Sequence, residues 1–267
     1  MSATASDPGF VIRYLDAGNA LPGIRLLKRV VVEQLRLRPG QRLLELGCGA
    51  GDDARASARQ VGRRGHVLGI DAMPSLIAEA TRRSDGDGLP CAFQVGDALA
   101  LAVEDESFDC CRIERLLMHV HGEPAQVLAE VARVLRPGGR AVVFDFDWDG
   151  FVIDGAEREL TRRVVRSFSD GIHNGWVGSA LPRLLSGAGF TDVRIQPHGV
   201  AIPYDFFGWL LSGHLDEALA AGRFTPQELI GWWDQLDQAH AGEGFFAAVL
   251  GFVATGTKPE AAGTAAA

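Results

Sequence analysis

The sequence predicts an α/β fold built on a parallel sheet covered on both faces. Short apolar runs alternate with amphipathic stretches of helical spacing from residue 23 to about 148. The runs are continuously apolar rather than alternating, as in strands buried on both faces. A glycine-rich turn, GCGAG at 47–51, follows the first run, where open parallel sheets place their ligands.

Residues 23–37 carry Ile24, Leu27, Val31 and Leu35 at helical spacing, and RPGQ stops the helix. RLLEL (42–46) is a buried strand, followed by a helix from Asp52. HVLGID (66–71) is the second strand, and PSLIAEATRR (74–83) a helix with Pro74 in its first turn. CAFQVGD (91–97) and SFDCCRI (107–113) are the third and fourth strands. An amphipathic helix spans 123–135, closed by RPGG, and RAVVFDFDW (140–148) is the fifth strand. Beyond it the spacing predicts helices over 156–168 and 180–190, a strand over 191–202, helices over 205–222 and 225–240, and a final strand over 244–258.

With 267 residues and 47% apolar content, the chain can bury one substantial core. No linker composition and no repeat is visible, so a single domain is expected. Its parts are an N-terminal flap (1–22), a core (23–150), helical lid insertions (151–179 and 203–243), a last strand (244–258) and a disordered tail (259–267). Twenty-six basic residues face 34 acidic ones, a net charge of −8. That balance argues against nucleic acid, which needs a basic face. Cys48, Cys91, Cys110 and Cys111 show no metal-ligand spacing, so no metal is expected. Reduced cysteines, no signal-peptide pattern and no apolar run of about 18 residues point to a cytoplasmic protein without a membrane span. A homodimer stays open.

The glycine loop does not read as a phosphate cradle. A dinucleotide fingerprint needs glycine where Asp52 stands, and Asp52 with Asp53 at a helix start repels a pyrophosphate. A ligand with a cationic or zwitterionic part suits Gly47, Gly49, Gly51 and the strand-end Glu45. Asp71, twenty residues after Gly51, can accept from both ribose hydroxyls. Met73 can lie on an adenine face. Asp97 and the Ala98 N–H can read an adenine edge. Ribose, adenine and an amino-acid tail together describe S-adenosylmethionine.

The order ELGCGAG, GID, GDA, FDCCRIERLLMH and EVARVLRPGGRAVVFDF resembles the class I S-adenosylmethionine-dependent methyltransferases, closest to the ubiquinone/menaquinone-type and natural-product small-molecule enzymes. The resemblance implies a Rossmann-like seven-stranded sheet whose last strand is antiparallel. It places the methionine end of the cofactor near Glu114 and Arg115, of which Arg115 is the candidate contact. It also points to His119 and Asp145 at the sheet's carboxyl edge as a catalytic base and its orienting acid. Bland readings stand beside these: Asp97 as a turn aspartate, His119 as an anchor of its turn, Asp145 as a loop brace. Tyr14 and Trp148 are candidate substrate contacts, Tyr14 in the flap and Trp148 as a pocket floor or as packing. Trp209, Trp232 and Trp233 lie in the late insertion. The expected reaction is O- or C-methylation of a small, largely apolar acceptor. The alternative is non-methylating chemistry on the same cofactor, such as cyclisation.

Overall fold

The computed structural model of the chain describes residues 8–155 and 157–260. Its centre is a seven-stranded sheet of β1 (Arg42–Leu46), β2 (His66–Asp71), β3 (Cys91–Val95), β4 (Phe108–Glu114), β5 (Leu135–Ile153), β6 (Thr191–Ala201) and β7 (Ala247–Thr257). Their order is β3-β2-β1-β4-β5-β7-β6. β7 runs antiparallel to β5 and β6, and the other pairings are parallel. Chain order reverses between β1 and β4, so the crevice beyond their carboxyl ends is the switch point.

The helices are α1 (Pro8–Ala20), α2 (Pro22–Leu35), α3 (Asp52–Val61), α4 (Pro74–Ser84), α5 (Pro124–Val134), α6 (Arg158–Gly171), α7 (Val177–Gly187), α8 (Tyr204–Ala220) and α9 (Pro226–Ala241). On α2 the predicted stripe Ile24, Leu27, Val31 and Leu35 is the buried face, packed on β4 to β7. Each such side chain contributes about 1.5–3 kcal/mol of burial. In β1, Leu43 and Leu44 point to opposite faces and both are fully buried, which confirms helices on both sides. Thr225 and Glu228 close α9 with reciprocal side-chain to backbone bonds, satisfying two N–H groups that the helix leaves free.

Two boundaries differ from expectation. The described part of the 1–22 segment is a helix, α1. Its signals were Pro8 in the first turn and apolar pairs four apart, Phe10 with Tyr14 and Val11 with Leu15. Strand β5 runs on to Ile153, so the first insertion begins later than 151. Pairing with β7 breaks between Asp147 and Val152. From the expected tail, 261–267 lie outside the described residues. No described helix is long and apolar enough to cross a membrane.

Candidate active site at the sheet switch point

The turn after β1 has Gly47, Gly49 and Gly51 at φ of 70°, 53° and 79°. This left-handed region costs other residues roughly 1–2 kcal/mol each. At Gly51 a Cβ would lie 2.5 Å from the Phe93 ring, so glycine also permits the close approach of α3 and β3. At Gly47 it would meet Leu116 at 3.1 Å. Beside Gly49 the nearest atom is on Leu15 of α1, 3.6 Å away. Helix α1 therefore crosses the glycine turn. It is held there by Asp16 on Arg83 of α4 (2.8 Å) and by Asn19 on Arg115 (2.5 Å).

At the end of β2, Asp71 accepts from the Gly49 N–H at 3.0 Å and the Met73 N–H at 2.9 Å, one on each oxygen. Each oxygen keeps a further lone pair for a ligand. Met73 is half-buried just before α4. Asp97 is exposed and accepts from its neighbour's backbone, Leu99 N–H, at 2.9 Å, with half-buried Ala98 between them. That is the bond of a turn aspartate, and it leaves the second Asp97 oxygen without a hydrogen bond among the described residues.

Beneath the turn lies a buried charge cluster. Arg112 of β4 stands beside Glu45 in register and is fully buried. It contacts Glu114, and Asp53 at 3.1 Å. Lys28 from α2 joins Glu114 at 2.7 Å and also pairs with Asp53. Arg115, at φ 51°, reaches Glu114 at 3.2 Å. Burial would raise the Glu114 pKa, but Arg112, Lys28 and Arg115 together hold it well below the usual carboxylate range. Glu45 goes the other way: burial raises it to about 8, against the pull of Arg112, and its Oε2 is buried with no partner. The Arg115 Nε is likewise buried and unpartnered. Arg112, Lys28 and Asp53 were not expected from the sequence. A lone arginine inside the apolar run FDCCRIE was the available signal.

Beyond β4, His119 ends a short 3₁₀ turn, Leu117–His119. Its side chain reaches solvent, yet the surrounding protein, and then Arg115, lower its pKa to about 4. Solvent contact tempers that lowering, but the direction keeps the imidazole neutral near pH 7. Asp145 is fully buried and does not meet it. Its Oδ2 accepts from the Leu117 N–H at 2.8 Å and the Met118 N–H at 3.4 Å, and its Oδ1 from the Phe146 N–H at 3.2 Å. No hydrogen bond joins His119 to Asp145 among the described residues. The expected dyad is therefore not assembled, because the free N–H groups of the turn take the carboxylate first. Burial raises Asp145 to about 7, opposed by those backbone bonds.

Trp148 is buried among Phe146, Phe151 and Phe168, with its indole N–H 3.4 Å from the Met118 sulfur. This corrects its reading as a pocket floor to packing. Trp232 is also buried, donating to Thr161 at 3.0 Å. Tyr14 is half-buried and stacked on Phe206 of α8 at 5.2 Å, with burial raising its hydroxyl to about 12 against Arg115. A hollow of about 340 Å³ lies elsewhere, at the start of α8 and β7, and contains none of these residues.

Glu45 and Asp145 retain protons in the folded state that the unfolded chain loses near pH 4–4.5. Stability from both groups is present below that range and lost as pH rises through about 7 and 8. His119, lowered to about 4, acts oppositely only below about pH 6.5. Urea midpoints of the cofactor-free protein are expected to fall from pH 6.5 to 8.5, by up to about 1.4 kcal/mol per pH unit per group. Glu45→Gln should flatten the profile. A wild-type profile that is level or rising across this window contradicts the assignment.

A switch-point glycine turn flanked by acids at the ends of β1 and β2 defines a cofactor-binding α/β enzyme. Its residues fit S-adenosylmethionine: the buried, unpartnered Glu45 Oε2 can meet an ammonium, and Asp71 retains acceptor capacity for hydroxyls. Residues 43–139 match a methyltransferase domain family. Over 249 residues the chain is 37% identical to an uncharacterised 37.1 kDa protein in transposon TN4556 of Streptomyces fradiae, covering 91% of this chain and 70% of that one. It is 39% identical over 123 residues to the 2-phytyl-1,4-naphtoquinone methyltransferase of Synechococcus elongatus, covering 45% of this chain and 52% of that protein. Its fold matches the YcgJ protein of Bacillus subtilis with a TM-score of 0.64 at 20% identity, over 89% of this chain and all of that one. The chain belongs to the class I S-adenosylmethionine-dependent methyltransferases.

Proposed function

We propose that the enzyme methylates oxygen or carbon of a small, largely apolar organic acceptor. The observation that carries this reading is the aromatic cover over the glycine turn. Phe10 and Tyr14 of α1 meet Trp209 and Phe206 of α8, at 6.4 Å and 5.2 Å between ring centroids. Such a cover excludes water and suits a planar apolar guest. The likeness to a naphthoquinone methyltransferase supports a ring acceptor.

Asp71 would hold the ribose, Met73, Asp97 and Ala98 the adenine, and Glu45 and Arg115 the methionine end, along the backbone of Gly47, Gly49 and Gly51. When bound, S-adenosylmethionine supplies an electrophilic methyl on a sulfonium. The protein's part is then to align the acceptor with that methyl and to keep water out. For a hydroxyl acceptor, a neutral His119 ring nitrogen would take the proton of the attacking hydroxyl. Asp145 acts as a positioning residue, holding the turn that carries His119.

The test is turnover with a panel of hydroxylated aromatics and quinone-type rings, following methylated product and S-adenosylhomocysteine by mass spectrometry. One S-adenosylhomocysteine per methylated product supports methyl transfer, and turnover of the acceptor without it supports cyclisation. His119→Ala is expected to lower kcat by about 10²–10⁴ with cofactor affinity unchanged. Asp145→Asn should act in the same direction, and the double variant should be little worse than the first. A loss under about fivefold in His119→Ala would leave positioning alone as the source of rate.

A further inference from the structure

We propose that Arg36 and Arg194, backed by Arg140, form a binding site for a phosphate-type oxyanion, at the edge of the sheet opposite to the cofactor turn. Arg194 and Gln196 of β6 are two apart and share a face, paired with Thr255 and Val253 of β7. Arg140 enters from β5, on the other side of β7, where it pairs with Thr257. This is the face that α2 covers, since Leu27 lies 3.2 Å from where a Cβ would stand at Gly251, on the same face of β7. The end of α2 then brings Gln34 and Arg36. Between these elements lies a hollow of about 90 Å³, lined by Gln34, Arg36, Arg194, Gln196, Val253 and Thr255. At about 30 Å³ per water it holds roughly three waters, or one tetrahedral oxyanion.

The lining is a set of donors without partners. Among the described residues, the side chains of Gln34, Arg36, Arg194, Gln196 and Thr255 make no hydrogen bond or ion pair. Thr255 is only 4% exposed. A hydroxyl at that depth without a partner is costly, and an acceptor in the hollow relieves it. Burial, and next the like charge of Arg36, lower the pKa of half-buried Arg140; Arg194 adds to this, while Cys110 and Asp192 oppose it. The three cations therefore stand close enough to repel one another, in a chain whose net charge is −8. A dianion turns that repulsion into attraction, and a guanidinium fork matches two phosphate oxygens at once. The C-terminus of α2 opposes the anion with about half a negative charge, which three full positive charges exceed. No carboxylate is among the lining residues to favour a cation instead.

The test uses tag-free protein in a buffer without phosphate or sulfate. Calorimetry is expected to show one saturable site for inorganic phosphate or for glycerol 3-phosphate, a small phosphomonoester, and none for chloride at matched ionic strength. Tighter binding of the ester marks a phosphorylated metabolite as the occupant, and tighter binding of phosphate marks the free ion. Arg36→Gln and Arg194→Gln should each weaken binding by roughly tenfold or more through loss of a charge-assisted contact, while S-adenosylmethionine binding stays unchanged. Arg63→Gln, which removes an exposed arginine from the turn after α3, should leave the affinity within about threefold. Phosphate should raise the melting temperature of the wild type more than that of either cluster variant. Absence of binding to the wild type overturns the proposal. So does a cluster-variant affinity within about threefold of wild type, or a loss in Arg63→Gln equal to theirs.

Discussion

Asp71→Ala is expected to weaken S-adenosylmethionine binding by about 10²–10⁴-fold. A charged acceptor contributes about 1.5–3 kcal/mol per hydrogen bond, and two ribose hydroxyls would lose theirs together. The carboxylate has a second duty, since it accepts from Gly49 and Met73 at 3.0 and 2.9 Å. Its removal leaves the glycine turn and the start of α4 without a shared anchor. Asp71→Asn keeps one acceptor oxygen and should lose less. Calorimetry measures both variants, with thermal melts confirming that the fold is retained. An Asp71→Ala affinity within threefold of wild type removes Asp71 from the cofactor site.

Arg112→Met is expected to lower folding stability by about 3–5 kcal/mol, the usual cost of stripping one partner from a buried ionic cluster. Methionine keeps most of the apolar volume, so the loss reads the charge. Asp53 and Glu114 lose a partner, and Glu45 loses the cation that opposes its burial. Lys28 and Arg115 remain on Glu114, at 2.7 and 3.2 Å, which bounds the damage. Adding Glu114→Gln should recover part of it, because the two side chains are coupled. Urea unfolding at pH 7 without cofactor decides the matter. A drop under about 1 kcal/mol means that Lys28 and Arg115 sustain the cluster by themselves.

The strands were legible because each is a local signal. RLLEL, HVLGID and FDCCRIE are apolar runs bounded by turns, and all three are strands of the sheet. The glycines were legible because their spacing reports backbone that only glycine adopts cheaply. Helix α1 was not, since its apolar pairs look like those of any short segment until α4 and α8 receive them. The His119–Asp145 pairing failed for a related reason. Both residues do sit at one sheet edge, but spacing does not show which donors a carboxylate will meet first. For Asp145 they were the backbone N–H groups of Leu117 and Met118.

By itself, then, the sequence determined the alternation of strand and helix, the glycine turn and the acids that follow the first three strands. These depend on periodicity, on φ and on position along one strand, all of which are short-range. Only the tertiary structure decided that Arg112 is wholly buried beside Glu45, that Trp148 packs inward, and that His121 meets His173. Those outcomes depend on strand register, the seating of α6 on β5 and the docking of one loop on another. Each is set by the summed free energy of contacts between segments far apart in the chain, which local pattern does not encode.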